Sequence, residues 1–256
     1  MKKKKVFLNE FRGKEIESLL ERAEQITAIL CFGSCENHGA HCCLGPDFFV
    51  PTEVAKRVAE RLDDVIVLPC IPYGVSINYN HYPLSITLRY ETEIALAEDM
   101  MESLIHNNIR RLFIFNGHDG NIAPLEIAAR KVKERHKDAK IIYFPAWWQN
   151  IGPIMKNSFE VWNGLGHGGE GETSIVMALD DDYVELKDAV EQVPHEIIRL
   201  SKDVTVIWDI SEVSKTGATG DPTKATKEKG EQMLELLVDL VSDADQIGRA
   251  SCRERV

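Results

Sequence analysis

The sequence predicts an α/β protein: a mainly parallel sheet with helices on both faces. Three observations carry that prediction. Apolar runs of strand length alternate with longer stretches of helical periodicity. The runs are continuously apolar rather than alternating, as strands buried on both faces must be. Polar, glycine-punctuated segments follow three of them, where open α/β sheets bind ligands.

Residues 13–25 are read as the first helix, because Ile16, Leu19 and Leu20 recur at helical spacing. The run "ITAILCF" then forms a strand that stops at Gly33. A helix is expected over 51–64: Pro51 opens it, Thr52 is a candidate cap, and Val54, Val58 and Leu62 share one face. "VIVLPCIPYG" (65–74) reads as a strand and 92–109 as a helix. "RRLFIF" (110–115) is a strand that runs into the loop "NGHDGN". A helix over 124–139 and a strand "KIIYFPAWW" (140–148) follow, and "SIVMALDDD" (174–182) is helical. With no internal repeat and no linker, residues 1–246 read as one domain.

Composition narrows the function. The 256 residues carry a net charge of −11, which disfavours nucleic-acid phosphates and anionic membranes as partners. "MKKKK" resembles the start of a signal peptide, but a charged helical stretch follows it instead of an apolar one. No window has the length and apolarity of a membrane span. The expected setting is cytoplasmic, where the six cysteines are thiols or occasional metal ligands. The final decapeptide "IGRASCRERV" back-translates into a common sequencing-adapter read. Residues 247–256 are therefore expected to be a non-native, adapter-derived tail, with the true end beyond Gln246 unknown.

Three polar loops are expected to converge at one sheet edge: "GSCENHGAH", "PYGVSINYNHYP" and "NGHDGN". Glu36 and His38 are two apart, so both project to one side of an extended segment. Asp47 lies further along, and His118 follows a separate strand. Such a carboxylate–imidazole set suits zinc, manganese or iron(II), and could hold two ions that share Asp47. Taken singly, Glu36 is equally a solvated loop acid and His38 a satisfied loop histidine. His41 is read as a packing or supporting residue.

"GLGHGGEGETS" nearly matches a phosphate-binding P-loop, but Glu172 stands where the lysine must be, which removes the mechanism. Its glycines are read as letting backbone approach a site, with His167 and Glu170 pointing inward. Cys31 and Cys70 are read as buried small hydrophobes; a zinc site at Cys35, Cys42 and Cys43 is a lesser alternative. Trp147, Trp148 and Trp162 are either core or the walls of a pocket for a planar ligand.

Together these motifs resemble the creatininase family. "ENHGAHCCLGPD", "FNGHDGN", "GHGGEGETS" and "TGATGDPTKATKEKGE" match its ordered motifs from about residue 25 to 240. The resemblance implies a three-layer α/β/α sandwich and a metal-dependent amidohydrolase, usually a homo-oligomer (a hexamer by family resemblance). It implies two divalent ions (Zn, Mn or Fe(II)). One would be held by Glu36, Asp47 and His118, the other by His38 and the bridging Asp47. In the family's namesake a glutamate two residues after the motif histidine completes the second ion; that position is Gly120 here, so Glu170 is the candidate replacement, with Glu172 behind it. A metal-bridging hydroxide would attack a non-peptide amide carbonyl in a cyclic or small linear substrate. His167 would donate a proton to the leaving nitrogen, with Glu170 also in the catalytic set. Asn116, Asn121, Tyr82, Trp162 and Glu172 are expected in supporting or substrate-facing positions. Two alternatives stay open: a catalytically silent metal- or ligand-binding protein, and a deformylase acting on a formylamino-pyrimidine nucleotide.

Overall fold

The structure, a computed structural model, describes residues 4–155, 157–164, 166–193 and 207–253. Among them are four strands: β1 (Thr27–Phe32), β2 (Val65–Val67), β3 (Arg111–Asn116) and β4 (Lys140–Phe144). They pair in the order β2-β1-β3-β4, and every pairing is parallel. Ile29 sits opposite Val67 on one side and Phe113 on the other. The helices are α1 (Gly13–Leu20), α2 (Pro46–Arg61), α3 (Tyr90–His106), α4 (Ile122–Arg135), α5 (Trp147–Ile154), α6 (Glu170–Leu179) and α7 (Lys227–Arg253).

The continuous apolar runs serve two cores because strand side chains alternate between faces. Ile29, Cys31, Phe113 and Phe115 meet Val50, Val54 and Val58 of α2 and Leu234, Leu237 and Val241 of α7. Ala28, Leu30, Phe32, Leu112 and Ile114 meet Met101 and Leu104 of α3, and Leu125 and Val132 of α4. The result is an α/β/α sandwich. Each large side chain buried this way contributes about 1.5–3 kcal/mol of transfer free energy.

Several expected boundaries shift for identifiable reasons. Helix α2 begins at Pro46, not Pro51, and carries Pro51 inside it. Thr52 is no cap; its hydroxyl donates to the Phe48 carbonyl at 2.6 Å. Proline at the first helical position with an acid beside it is the stronger start signal, and Pro46-Asp47 supplies both. β2 ends at Val67, because Pro69 and Pro72 lack the amides a ladder needs. Trp147 and Trp148 open α5 instead of ending β4. The backbone of α7 runs through residues 247–253; residues 254–256 of the suspected tail lie outside the described residues, as do all its side chains. Among the described residues no helix is long and apolar enough to cross a membrane.

Candidate metal centre and adjoining cavity

From β1 the chain moves to β2 on one side, then crosses to β3 on the other. The switch point between β1 and β3 opens a crevice at the carboxyl ends of those strands. Glu36 and His38 lie in the loop after β1, and His118 follows β3 directly. Asp47 enters from the first turn of α2.

Proline inside α2 helps to seat that turn. Pro51 has no amide to offer the Asp47 carbonyl four residues earlier. Instead Gly33 and Gly117 lie against that carbonyl. A Cβ at Gly117 would stand 2.1 Å from its oxygen and one at Gly33 2.6 Å, so only glycine fits at either position.

Four side chains anticipated from the sequence come together. His118 Nδ1 lies 3.0 Å from Asp47 Oδ2 and 3.3 Å from Glu36 Oε1. His38 Nε2 lies 3.4 Å from Asp47 Oδ1. Asp47 therefore presents one oxygen to each imidazole, as a shared ligand must. The opposite ring nitrogens are committed elsewhere. His38 Nδ1 donates to the Glu36 carbonyl at 3.0 Å, and His118 Nε2 donates to the Val75 carbonyl at 2.9 Å. Each bond fixes the ring so that its other nitrogen points into the cluster, available to a cation once deprotonated. Glu36 Oε2 accepts from the Ser34 hydroxyl at 3.2 Å. By contrast Glu36 Oε1, Asp47 Oδ2 and His38 Nε2 are buried with no hydrogen-bond partner.

Glu172, not Glu170, is the third acid. Its Oε2 lies 3.9 Å from His38 Nε2 and accepts from the Gly168 amide at 2.6 Å. His38, Asp47 and Glu172 form one group with metal-ligating spacing; Glu36, Asp47 and His118 form another. Glu170 faces away. Its carboxylate takes Lys229 Nζ at 2.6 Å and the amides of Glu160 and Val161 at 3.0 and 3.3 Å. At 100° per helical residue, two acids two apart point about 200° from one another. The expectation that Glu170 would be a metal ligand or catalytic residue is thus corrected. It fastens the segment leading to Trp162, whose φ of 48° is a left-handed conformation costly for a non-glycine residue.

Electrostatics follow from burying so many acids together. Burial pushes Glu36 up to about 6 against the pull of His118, and pushes Glu172 up to about 7 against that of His38. Burial opposes charge on Asp47 too, but His38 and His118 hold it well below the usual carboxylate range. For both imidazoles burial is outweighed, by Asp47 at His38 and by Glu36 and Asp47 at His118, and each rises to about 10. The carboxylates thus draw positive charge to this spot, and divalent cations would supply it. The unpartnered oxygens and nitrogen have the chemistry and convergence that such ions need, so the residues fit them. No cysteine falls in a ligating group among the described residues.

His167 lies beside the cluster. Its Nε2 donates to the Asn37 carbonyl at 2.6 Å, and Nδ1 faces Glu36 Oε1 at 3.6 Å. The ring packs between His38 and Tyr79, with centroids 4.0 and 4.3 Å away. Burial, then the like charge of His38, holds it well below its ordinary value, so Nδ1 presents a lone pair. The glycines around it do bring backbone close: Gly168 has φ of 58°, and a Cβ there would lie 2.5 Å from the His38 carbonyl.

Asn116 and Asn121 tie the loops together. Asn116 Nδ2 donates to the carbonyls of His118 (2.6 Å) and Pro145 (2.8 Å). Asn121 accepts from the Val75 amide at 2.8 Å and donates to the Gly33 carbonyl at 3.0 Å. His41 packs on Thr173, with Nε2 3.0 Å from its hydroxyl.

A cavity of about 400 Å³ opens on the cluster, lined by Asp47, His118, His167 and Glu172 and walled by Tyr79, Trp147, Trp148, Phe159, Trp162 and Trp208. Tyr82, expected to face substrate, does not line it; its hydroxyl donates to the Ser214 carbonyl at 3.0 Å. Trp208 and Asp119 do line it and were missed, since neither belongs to a recognisable spacing.

The creatininase family, described as creatinine amidohydrolase, matches residues 9–244. The creatinine amidohydrolase of Pseudomonas putida is 30% identical, over 94% of this chain and 96% of its own. The mycofactocin precursor peptide peptidase of Mycobacterium tuberculosis is 28% identical, over 82% of this chain and 81% of its own. A solved creatininase variant described as the Zn–Zn type superposes with a TM-score of 0.79 at 30% identity, covering 94% of this chain and 97% of that one.

Proposed function

Because the chain belongs to the creatininase family of metal-dependent amidohydrolases, we propose that it hydrolyses a non-peptide C–N bond in a cyclic or small linear amide. Two divalent ions would be held at the crevice, one by Glu36, Asp47 and His118 and one by His38, Asp47 and Glu172. The observation that carries this is the set of buried, unpartnered atoms Glu36 Oε1, Asp47 Oδ2 and His38 Nε2, in a cluster whose Asp47 and His118 line a cavity of small-molecule size. Such ions, when bound, supply Lewis acidity for the amide carbonyl and lower the pKa of coordinated water toward about 7.

The chain's own residues would do the rest. Asp47 spans both donor sets and fixes their separation. Asn116, Asn121 and the Val75 carbonyl keep His118 Nδ1 aimed inward. His167 Nδ1, kept deprotonated by its surroundings, can accept a proton from the attacking group and return it to the departing nitrogen. Tyr79, Trp162 and Trp208 line the cavity and would help to exclude water from it. A nucleotide substrate is disfavoured because no lysine or arginine lines the cavity among the described residues. Zinc, manganese and iron(II) all suit the donors. A cytoplasmic homo-oligomer, a hexamer by family pattern, belongs to the same proposal, as does a single domain over 1–246.

The test is metal content paired with turnover on a panel of lactams and formamides. About two ions per chain and chelator-sensitive hydrolysis are expected. One ion or none, with no turnover across the panel, would identify a silent binding protein instead.

A further inference from the structure

Two buried serines join the halves of one donor set. The hydroxyls of Ser34 and Ser76 lie 2.6 Å apart, and both residues are shut off from solvent. Ser34 Oγ also lies 3.2 Å from Glu36 Oε2, and Ser76 Oγ lies 3.5 Å from His118 Nε2. Backbone ties build this meeting. Asn121 donates to the Gly33 carbonyl and accepts from the Val75 amide, so one side chain fixes the residue before each serine. The Thr87 hydroxyl accepts from the Ser76 amide at 2.9 Å. The hydroxyl protons can run in one direction only. His118 Nε2 keeps its hydrogen, because its nearer partner is the Val75 carbonyl at 2.9 Å, and so cannot accept from Ser76. Ser76 therefore donates to Ser34, and Ser34 donates to the carboxylate. That occupies Glu36 Oε2, while Oε1 stays without a hydrogen-bond partner and faces His118 Nδ1 at 3.3 Å.

We propose that Ser34 and Ser76 are positioning residues for one ion of the pair. Their hydrogen-bond chain orients Glu36 Oε1 and His118 Nδ1 toward the ion shared with Asp47, and leaves the ion at His38, Asp47 and Glu172 to other supports. This rests on the two-ion amidohydrolase reading and gives two residues that hold no ion a part in it. Hydrogen bonds in series polarise one another, so the chain acts as a unit and fails at either link. Val75 and Ser76 are consecutive, so a shift of Ser76 also moves the carbonyl that sets the His118 ring. The other donor set is braced differently. The His38 ring is set by the Glu36 carbonyl and the Glu172 carboxylate by the Gly168 amide.

Mn(II) titration of the full chain, with free ion read by electron paramagnetic resonance, tests this without reference to turnover. Wild type should take up two ions. In Ser34→Ala and in Ser76→Ala one binding step should weaken about 10–100-fold and the other stay within about threefold. The double variant should lose no more than the larger single loss, as links of one chain do. In a Glu172→Gln background the ion that remains should be the one the serine substitutions weaken. Equal weakening of both steps, no weakening of either, or losses that multiply in the double variant would overturn the proposal. So would a remaining ion in Glu172→Gln that ignores both serines; if that variant binds none, the wild-type comparison decides. A purely structural pair would lower the Tm of the metal-free chain without separating the two steps. Should Ser34→Ala not fold, Ser76→Ala breaks the same chain at its other link; if neither folds, the pair is structural and the proposal fails. Two ions indifferent to the serines sink this proposal alone, whereas a wild type that takes up no ion sinks the two-ion reading and this inference with it.

Discussion

Gly120 lies two residues after His118, and the structure explains why no side chain fits there. A Cβ at Gly120 would lie 1.9 Å from the Val75 carbonyl oxygen and 2.8 Å from His118 Nε2. That oxygen is the acceptor that fixes the His118 ring. It cannot simply retreat, because the Val75 amide is held by Asn121 and the Ser76 amide by Thr87. Gly120→Ala therefore forces a backbone shift costing about 1–3 kcal/mol and forfeits a hydrogen bond worth about 1 kcal/mol. Reduced freedom of the unfolded chain returns about 0.4–1 kcal/mol. The net loss is about 1–3 kcal/mol, or a fall in Tm of about 2–12 °C for a chain this size. Urea unfolding should show a lower midpoint with unchanged slope, and calorimetry a weaker first ion, because the His118 ring is no longer locked. Gly120→Glu should be worse still, despite adding an acid beside the cluster. An alanine variant within about 0.5 kcal/mol of wild type would show that the 74–76 segment yields easily. The steric account of the glycine would then fail.

The two acids at the start of α6 should separate cleanly. Glu172→Gln should lose about one bound ion per chain by elemental analysis. Glu170→Gln should keep both ions but lower Tm by several degrees, since Lys229 loses its buried partner. Chelation should lower Tm, and re-addition of metal at about 100 times its Kd should restore about 2.7 kcal/mol; an unaltered melt would argue against a folded-state ion site. Glu93 provides a pH test at a residue outside the ligand set. It is fully buried, neither oxygen has a partner, and burial raises it to about 7 against the pull of His118. A raised carboxyl favours the protonated folded state, so the stability it permits is complete below its ordinary value of about 4.5 and declines as pH climbs to about 7. The full loss is about 3 kcal/mol. Glu93→Gln should accordingly stabilise at pH 8 and do little at pH 4.5; equal shifts at both pH values in thermal melts would contradict this.

How far the sequence disclosed the molecule depended on whether the deciding contact was local. Strands β1 and β3 were legible because burial on both faces leaves an unbroken apolar run. The start of α2 was misplaced because Pro51 resembles an opening proline, and only packing of the Asp47 carbonyl against Gly33 and Gly117 shows why a helix tolerates it there. Glu36, His38, Asp47 and His118 were found because the loops bearing them leave strands at one sheet edge. The choice between Glu170 and Glu172 was not legible, since both lie at the head of one helix and their directions are settled by Lys229, 59 positions away. That placement gives the first turn of α6 two separate duties. Glu172 completes the charge of the cluster, while Glu170, through Glu160 and Val161, holds the strained approach to Trp162. On the proposed function, one helical turn would therefore couple ion binding to the shape of the aromatic wall. A substitution that rotates it by a single residue should damage metal affinity and ligand fit together, although Glu170 itself faces away from the ligand-bearing cluster.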